Sequence, residues 1–246
     1  MPRFFVPAEA LNGKFAVLPG AAAAHVKVLR LRQGDDVTLC TGDGKEHCCV
    51  ISDLSPDQVS LVVRQTVPSV SEPKLSCTLY VAFLKADKLE HVLQKATELG
   101  VSRLVVFLSS RCVSRPDDAS LRKKLERWRK IAAAAAEQSG RGRIPEVDVA
   151  ASYDDAIRQA AQAKLPVFLY ENEERLALRS VLGGSAPESV SLVTGPEGGF
   201  SEDEVSAAKR AGLLICSLGP RILRCETAPL CALSAVMFAS GGLDPV

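Results

Sequence analysis

The sequence contains no apolar run long enough to cross a membrane, which takes about 18 consecutive apolar residues. Its most apolar stretch, residues 228–239, is shorter and is interrupted by Pro229 and Ser234. Residues 1–10 lack the apolar segment and cleavage pattern of a secretory signal peptide. Hydrophobic residues make up 47% and charged residues 24% of the 246 positions, as in an ordinary globular chain. We therefore expect a soluble, cytoplasmic protein with no membrane partner.

The chain also lacks the residue spacing of a metal site. No two of its eight cysteines form a C-x-x-C pair, and its three histidines, at 25, 47 and 91, are scattered. Thiols of an intracellular protein commonly pack as small hydrophobic side chains. The sequence therefore predicts no metal and no disulfide among Cys40, Cys48, Cys49, Cys77, Cys112, Cys216, Cys225 and Cys231.

The near-zero net charge of +1 conceals one strongly basic segment. Residues 103–143 carry eleven basic and four acidic residues, an excess of +7, whereas residues 144–246 carry eight basic and fourteen acidic residues. A basic stretch of this kind favours a polyanionic partner. Arginine and lysine are also good surface residues of a helix, so charge alone leaves RNA or DNA contact and a solvated helix face equally open.

Residues 1–70 are rich in β-favouring runs separated by turn residues. Gly42-Asp43-Gly44 separates two such runs and predicts a hairpin, and Ser55-Pro56-Asp57 predicts a second turn. A short helix containing His25 is expected before them. The pattern predicts a small β-barrel, followed by a linker rich in proline and serine at about residues 68–76.

From residue 77 onward, apolar runs alternate with helical patterns, which predicts an α/β domain with a mostly parallel sheet. Asp87 with Glu90 and Ser201 with Glu204 match a helix-capping signature, and Gly100 is placed to end a helix. The strand candidates are CTLYVAFL, VSRLVVFL, VDVA, PVFLY, SLVTG and LLICSLG. Helices are expected after Asp87, over 118–139, near 153–164, near 173–182, after Ser201 and from Glu226.

Two loops in the C-terminal part combine glycine with charge. Gly195-Pro196-Glu197-Gly198-Gly199-Phe200 follows one strand, and residues 218–228, LGPRILRCETA, follow another and run into a helix. Ligands of open α/β sheets bind outside the carboxyl ends of strands. Neither loop has the spacing of a dinucleotide fingerprint or a P-loop. Without a catalytic triad, zinc cluster or paired aspartates, chemistry carried by a bound cofactor fits these loops best.

TGPEGGFSEDE followed by LGPRILRCETA resembles the signature pair of the SPOUT-class methyltransferases, and more narrowly of the RsmE family of small-subunit ribosomal RNA uridine N3-methyltransferases. The resemblance extends to Arg3-Phe4-Phe5, to the segment around His25 and to residues 88–100 and 135–141, and so covers nearly the whole chain. Pro229, directly after Glu-Thr-Ala, is a local departure that a first helical turn tolerates.

The resemblance implies a PUA-like RNA-binding β-barrel over residues 1–70 and a SPOUT α/β domain over 77–246 that contains a trefoil knot. It also implies S-adenosylmethionine as methyl donor, 16S ribosomal RNA of the small ribosomal subunit as substrate, and a homodimer. Uridine N3 becomes nucleophilic only as its proton leaves. Arg221 or Arg224 could stabilise the resulting anion, and Glu226 could orient an arginine or accept the proton.

The remaining site residues expected from the resemblance fall into two sets. The cofactor set is Leu169, Thr194, Gly195, Glu197, Gly198, Gly199, Leu218, Gly219, Ile222, Leu223, Thr227 and Ala228. The RNA-binding set is Arg3, His25, Arg30, Arg111, Arg115, Arg122, Lys123, Arg127 and Arg141. Two alternatives stay open: a SPOUT methyltransferase acting on another RNA position or on transfer RNA, and a non-catalytic RNA-binding or ribosome-assembly module.

Overall fold

The computed structural model describes residues 1–55, 58–183 and 187–245. The chain folds into two compact units: Met1–Glu72 together with Ala136–Ile144, and Pro73–Ala135 together with Pro145–Pro245. The sequence predicts one boundary, at residues 68–76, and gives no sign that residues 136–144 return to the first unit.

The first unit is built on a six-stranded sheet with the order β1-β4-β5-β6-β3-β2. Strand β1 is parallel to β4, and the other neighbours are antiparallel. The expected hairpin is present, because β4 and β5 pair on either side of Gly42-Asp43-Gly44. Pro56 and Asp57 of the second expected turn lie outside the described residues. The elements are β1 (Arg3–Phe5), β2 (Leu11–Asn12), β3 (Phe15–Pro19), α1 (Gly20–Val28), β4 (Asp36–Cys40), β5 (Lys45–Leu54) and β6 (Gln58–Pro68).

The second unit is an α/β fold around a fully parallel sheet with the order β12-β10-β11-β7-β8-β9. The predicted alternation of strands and helices is confirmed, whereas the knot stays a prediction. The elements are β7 (Ser76–Ala82), α2 (Lys88–Glu98), β8 (Arg103–Phe107), α3 (Asp118–Gln138), β9 (Glu146–Val149), α4 (Tyr153–Ala160), β10 (Leu165–Leu169), α5 (Leu178–Leu182), β11 (Ser189–Thr194), α6 (Glu202–Arg210), β12 (Leu214–Cys216) and α7 (Thr227–Ala239).

Two helices are shorter than the sequence predicts. Helix α5 begins only at Leu178, because Glu173 Oε1 accepts the backbone N–H groups of Arg175 (2.7 Å) and Leu176 (3.2 Å) and closes a turn there. Helix α4 ends at Ala160, and beyond it the N–H groups of Gln162 and Ala163 form tighter turns by donating to carbonyls three residues back. In both places local hydrogen bonds replace helical ones.

The two predicted capping pairs have different outcomes. Ser201 and Glu204 form the full reciprocal box at the start of α6, as expected. The Asp87–Glu90 prediction is wrong, since the Asp87 side chain accepts no capping hydrogen bond and Glu90 pairs with Arg127 at 2.7 Å. Gly100 has φ +91 beyond the end of α2, which is the left-handed conformation that glycine adopts there most readily.

Aromatic rings fill the sheet core beneath the loop that follows β11. Phe200, 2% exposed, lies 4.3 Å from Phe168 and 6.4 Å from Phe107 between ring centroids. Tyr153 meets both Phe107 and Phe200 edge-on. Packing among these rings, three of them buried, anchors Phe200 and so fixes the end of the Gly195–Phe200 loop on the core.

Neither a membrane-spanning helix nor a metal cluster occurs among the described residues. No helix in this part of the chain has the length and apolarity that a membrane span requires. No group of histidine, cysteine and acidic side chains within it is arranged to hold a metal ion. All eight cysteines are free thiols, and five of them are buried.

Candidate functional site

A cavity of about 860 Å³ opens in the second unit where β10, β11 and β12, three neighbouring parallel strands, end. The carboxyl ends of parallel strands are where α/β sheets bind their ligands. Every residue of the predicted cofactor set lines this cavity except Gly198 and Thr227. The lining is Lys88, Leu169, Tyr170, Glu171, Glu173, Glu174, Arg175, Ala177, Ser180, Thr194, Gly195, Pro196, Glu197, Gly199, Ser217, Leu218, Gly219, Pro220, Arg221, Ile222, Leu223, Arg224, Cys225 and Ala228.

Two glycines of the loop after β11, Gly195 and Gly199, line the cavity. A Cβ on Gly195 would lie 3.1 Å from the Phe200 ring, which the core holds in place. Gly199 has φ +65 and donates its N–H to the Pro196 carbonyl at 3.0 Å, closing a tight turn. The backbone at Gly195 and Gly199 therefore forms part of the cavity wall with no side chain filling the space.

Gly198 faces away from the cavity lining and meets Arg111. Its carbonyl accepts a hydrogen bond from Arg111 Nη1 at 3.2 Å, and a Cβ at this position would lie 3.1 Å from the Arg111 Cβ. Packing against Arg111 is one reason for glycine at this position, and the close approach of a cofactor to Gly198 stays a prediction. Arg111 in turn is exposed and forms this hydrogen bond with the loop.

The loop after β12 contributes exposed backbone donors to the cavity. Gly219, at φ +101, donates its N–H to Ser217 Oγ at 3.1 Å, and no atom lies near where its Cβ would be. In the described part of the chain, the N–H groups of Leu218, Ile222 and Leu223 have no hydrogen-bond partner. Ile222 is 85% exposed. Apolar side chains next to free N–H donors suit a ligand with an apolar body and polar edges.

Arg221 and Arg224 both line the cavity and are exposed. Neither guanidinium forms an ion pair or side-chain hydrogen bond with any residue that the structure describes. Thr227, although outside the lining, donates its N–H to the Arg224 carbonyl at 2.8 Å and so helps to start α7. Two free cations at the mouth of the cavity can meet an anionic or electron-rich ligand.

Glu226, the N-cap residue of α7, pairs with Lys88 and not with either arginine. Lys88 Nζ lies 3.2 Å from Glu226 Oε2, and the Cys225 thiol donates to the same oxygen at 3.1 Å. The Cys225 hydrogen bond, then the backbone N–H of Glu226 itself and then Lys88, lower the pKa of Glu226 to about 2. Burial raises the pKa of Cys225 to about 12, so this thiol stays protonated. Glu226 is thus a poor proton acceptor near neutral pH, contrary to one of its two expected roles.

Lys88 lines the cavity but is not among the site residues predicted from the sequence. It appears there only within residues 88–100, a segment that resembles the RsmE family. Its ammonium also lies 3.8 Å from Glu197 Oε1, an oxygen that accepts the Lys85 N–H at 2.9 Å. The hydrogen bond with Glu226 raises the pKa of Lys88, which keeps it cationic. No motif could have singled it out, because its partners lie far away in sequence.

The loop after β10 is the second part of the site that sequence reasoning missed. Only Leu169 was expected, yet Tyr170, Glu171, Glu173 and Arg175 also line the cavity. The signal that could have found them is topological: β10 lies between β12 and β11, so its carboxyl end must open at the same place. Pairing order is not visible in the sequence.

Two members of the predicted RNA-binding set form ion pairs within the first unit, Arg141 as a buried residue and Arg3 as a half-buried one. Arg141, 4% exposed, binds Glu72 at 2.7 Å. Arg3 binds Glu46 at 3.0 Å and donates to the Arg141 carbonyl at 3.2 Å. Burial limits the access of Arg141 to a phosphate, and Arg3 is largely engaged within the first unit, so both arginines serve the fold.

The other expected RNA-binding residues are exposed, in different settings. His25 packs edge-on against Phe4 at 5.8 Å, and Arg30 lies two residues beyond the end of α1 with φ +56. Arg115 donates to the Ser109 and Ser110 carbonyls. On α3, Arg127 pairs with Glu90, while Arg122 and Lys123 have no ion pair among the residues described. Among the described residues, Arg122 and Lys123, like Arg30, are therefore available to a phosphate.

Comparisons with known proteins agree with this architecture. Residues 71–237 match the model of the RNA methyltransferase domain, and residues 18–64 match that of the RNA methyltransferase PUA domain. The first match covers more than half of the chain. The parallel sheet with its three-loop cavity is thus the catalytic domain of an RNA methyltransferase, and the first unit contains its PUA-like domain.

Individual relatives identify a family within the RNA methyltransferases. Ribosomal RNA small subunit methyltransferase E of Bacillus subtilis is 38% identical over 218 residues, which are 87% of this chain and 85% of that protein. The enzyme of that name from Neisseria gonorrhoeae, solved with bound S-adenosylmethionine, superposes with a TM-score of 0.84 at 31% identity, covering 97% of each chain. A Legionella pneumophila methyltransferase structure with bound cofactor SAM gives a TM-score of 0.86 at 34% identity, covering 96% of this chain and 97% of the other. The chain belongs to the ribosomal RNA small subunit methyltransferase E family.

Proposed function

We propose that this protein transfers a methyl group from S-adenosylmethionine to N3 of a uridine in small-subunit (16S) ribosomal RNA. The observation that carries the proposal is the cavity at the carboxyl ends of β10, β11 and β12, in a chain of this family. Its glycine-containing loops form a pocket for the cofactor. Arg221 and Arg224, which are unpaired among the described residues, place cations next to that pocket.

The residues present fit this cofactor. The free N–H groups of Leu218, Ile222 and Leu223 can donate to the adenine edge or the carboxylate, and their side chains with Leu169 offer apolar surface. The volume of about 860 Å³ lies within the usual range for small-molecule sites. When bound, S-adenosylmethionine supplies the electrophilic methyl on its sulfonium. Glutamates of the lining, such as Glu171, complement its positive charge.

Arg221 and Arg224 are proposed to stabilise the uracil as its N3 proton leaves. A cation close to the uracil carbonyls stabilises the developing anion most when water is excluded. Because both guanidinium groups are exposed and unpaired in the described part of the chain, neither must break an ion pair to reach the base. Glu226, which is held ionised by Cys225 and Lys88, is assigned to positioning and not to proton transfer.

RNA is proposed to bind through phosphate contacts on the basic face of α3. Arg122 and Lys123 are exposed there and free of ion pairs among the described residues, and Lys124 beside them is also exposed. Cations of this kind position an RNA backbone without reading its sequence. The PUA-like domain would add a second RNA-binding surface, and a splayed or loop nucleotide would present its base.

We further propose that the protein acts as a homodimer through α7. Leu233 and Val236 are 0% and 1% exposed and pack within the second unit. The same helix leaves Cys231 exposed and Phe238 76% exposed, and it carries no charged residue. An uncharged helix with an exposed phenylalanine is better covered by another chain than by water. Since α7 begins next to Glu226, the covering chain would lie near the cavity.

Methyl transfer in vitro tests the proposal. Purified protein with labelled S-adenosylmethionine should methylate small-subunit particles or 16S RNA, and should leave transfer RNA and large-subunit RNA unlabelled. Arg221→Met and Arg224→Met should lower kcat, whereas Arg210→Met, an exposed arginine on α6, should not. Label in transfer RNA would favour another RNA position, and RNA binding without cofactor binding would favour a non-catalytic module.

A further inference from the structure

The turn between β7 and α2 contains two locally unfavourable features, one of backbone conformation and one of charge. Ala86 has φ +56, a left-handed conformation that residues with a Cβ rarely adopt. Lys88 is the first residue of α2, where the helix dipole favours anions and disfavours an ammonium group. Locally unfavourable features of this kind concentrate at functional sites, where other interactions outweigh their cost.

The interactions that outweigh them are with two carboxylates from different loops. Lys88 Nζ lies 3.2 Å from Glu226 Oε2, at the start of α7, and 3.8 Å from Glu197 Oε1, in the loop after β11. The Lys88 side chain is 29% exposed, and those of Glu226 and Glu197 are 24% and 23% exposed. Partial burial of all three groups reduces solvent screening of the two ion pairs.

Glu197 is also attached to the turn itself. Its Oε1 accepts the Lys85 N–H at 2.9 Å, so the loop after β11 is fixed to the same turn that presents Lys88. Glu197 and Lys88 both line the cavity, together with Cys225 beside Glu226. One ammonium group therefore connects two of the three loops that form the cavity wall.

We propose that Lys88 is a positioning residue, which holds the loop after β11 and the start of α7 at the separation that S-adenosylmethionine binding requires. The inference rests on the proposed function. Without the ammonium, Glu197 and Glu226 would face each other as like charges and the two loops would separate. An ammonium group suits this place because its three donors can serve carboxylates from two different loops.

The test compares cofactor binding and turnover in charge variants of this cluster. Lys88→Met should weaken S-adenosylmethionine binding, measured by calorimetry, by about tenfold, which corresponds to about 1.4 kcal/mol. The KM for S-adenosylmethionine should rise with it, while RNA affinity stays unchanged. Lys88→Arg, which keeps the charge, should restore most of the affinity. Lys95→Met is the matched control, because Lys95 forms an ion pair with Glu98 on the same helix and is not part of the cavity lining.

The triple variant Lys88→Met/Glu197→Gln/Glu226→Gln separates positioning from general stability. Removing all three charges abolishes the repulsion, so it should bind the cofactor more tightly than Lys88→Met alone. Wild-type affinity and KM in Lys88→Met would overturn the inference, as would a triple variant that binds no better than Lys88→Met. If Lys88→Met does not fold, wild-type affinity in Glu226→Gln would overturn it instead. A wild-type protein that fails to bind S-adenosylmethionine would refute the proposed function, which is a distinguishable result.

Discussion

The Arg141 guanidinium donates two hydrogen bonds to the Glu72 carboxylate, from Nη2 at 2.7 Å and from Nε at 3.2 Å. Glu72 Oε1 also accepts the backbone N–H groups of Gly142 (3.0 Å) and Arg143 (3.1 Å). One carboxylate thus satisfies four donors of the segment that follows α3. This relationship attaches residues 136–144 to the first unit and explains why a basic residue in a basic stretch is not free for RNA.

Removing the Arg141 side-chain charge should destabilise the protein. Arg141→Met leaves the Glu72 carboxylate without its buried partner, and breaking a buried ion pair in this way costs about 3–5 kcal/mol. The free energy of unfolding from denaturant titration measures the effect. Arg122→Met, at an exposed and unpaired position of the described chain, should change it by no more than about 0.5 kcal/mol. Equal stabilities of the two variants would contradict the structural role of Arg141.

Reversing the free cations of α3 should weaken RNA binding in a salt-dependent manner. For Arg122→Glu with Lys123→Glu, the slope of log affinity against log salt should fall by about 0.7–0.9 for each RNA phosphate that the protein no longer neutralises. Cofactor affinity should not change. Lys209→Glu with Arg210→Glu, the same charge change on exposed positions of α6, is the control. An unaltered slope in the α3 variant would mean that this face is only solvated.

Glu226 should give the protein an acid-sensitive contribution to stability. Its folded pKa of about 2 lies below the ordinary value of 4.5, so the contribution is complete above pH 4.5 and is lost as the pH falls from 4.5 towards 2. The difference in Tm between the wild type and Glu226→Gln should therefore be constant near neutral pH and shrink through this range. Glu9→Gln, at an exposed position, serves as control. A difference that does not depend on pH would show that the Glu226 carboxylate is not held ionised.

Two positions on α7 should respond differently to an introduced charge. Leu233→Asp places a carboxylate in a fully buried position and should unfold the second unit. Phe238→Asp changes a side chain that is 76% exposed, so it should leave the fold intact and, if α7 is the dimer interface, yield an inactive monomer. Sedimentation with circular dichroism measures both. A wild-type monomer that is active at assay concentration would contradict the homodimer.

The features that the sequence predicted correctly are those determined by local residues. The Gly42–Gly44 hairpin, the Ser201–Glu204 capping box and the end of α2 at Gly100 depend on neighbours within a few positions. The alternation of apolar runs and helical patterns was enough to predict the parallel sheet. The two glycine loops could be identified because each directly follows an apolar strand.

The features that it missed depend on pairing between distant segments. Lys88 enters the cavity only because its turn meets Glu197 and Glu226, and the loop after β10 enters only because β10 lies between β12 and β11. Arg141 has the same charge as the α3 cations, and only its burial against Glu72 distinguishes it from them. A charge count along the chain cannot make that distinction.

Mass mapping of modified nucleosides in small-subunit ribosomal RNA, with and without the gene that encodes this chain, tests the central claim most directly. The proposed function predicts one N3-methyluridine that is present with the gene, absent without it, and restored by the wild-type protein but not by Arg221→Met/Arg224→Met. An unchanged set of uridine modifications after deletion, in RNA where N3-methyluridine is detected, would contradict it.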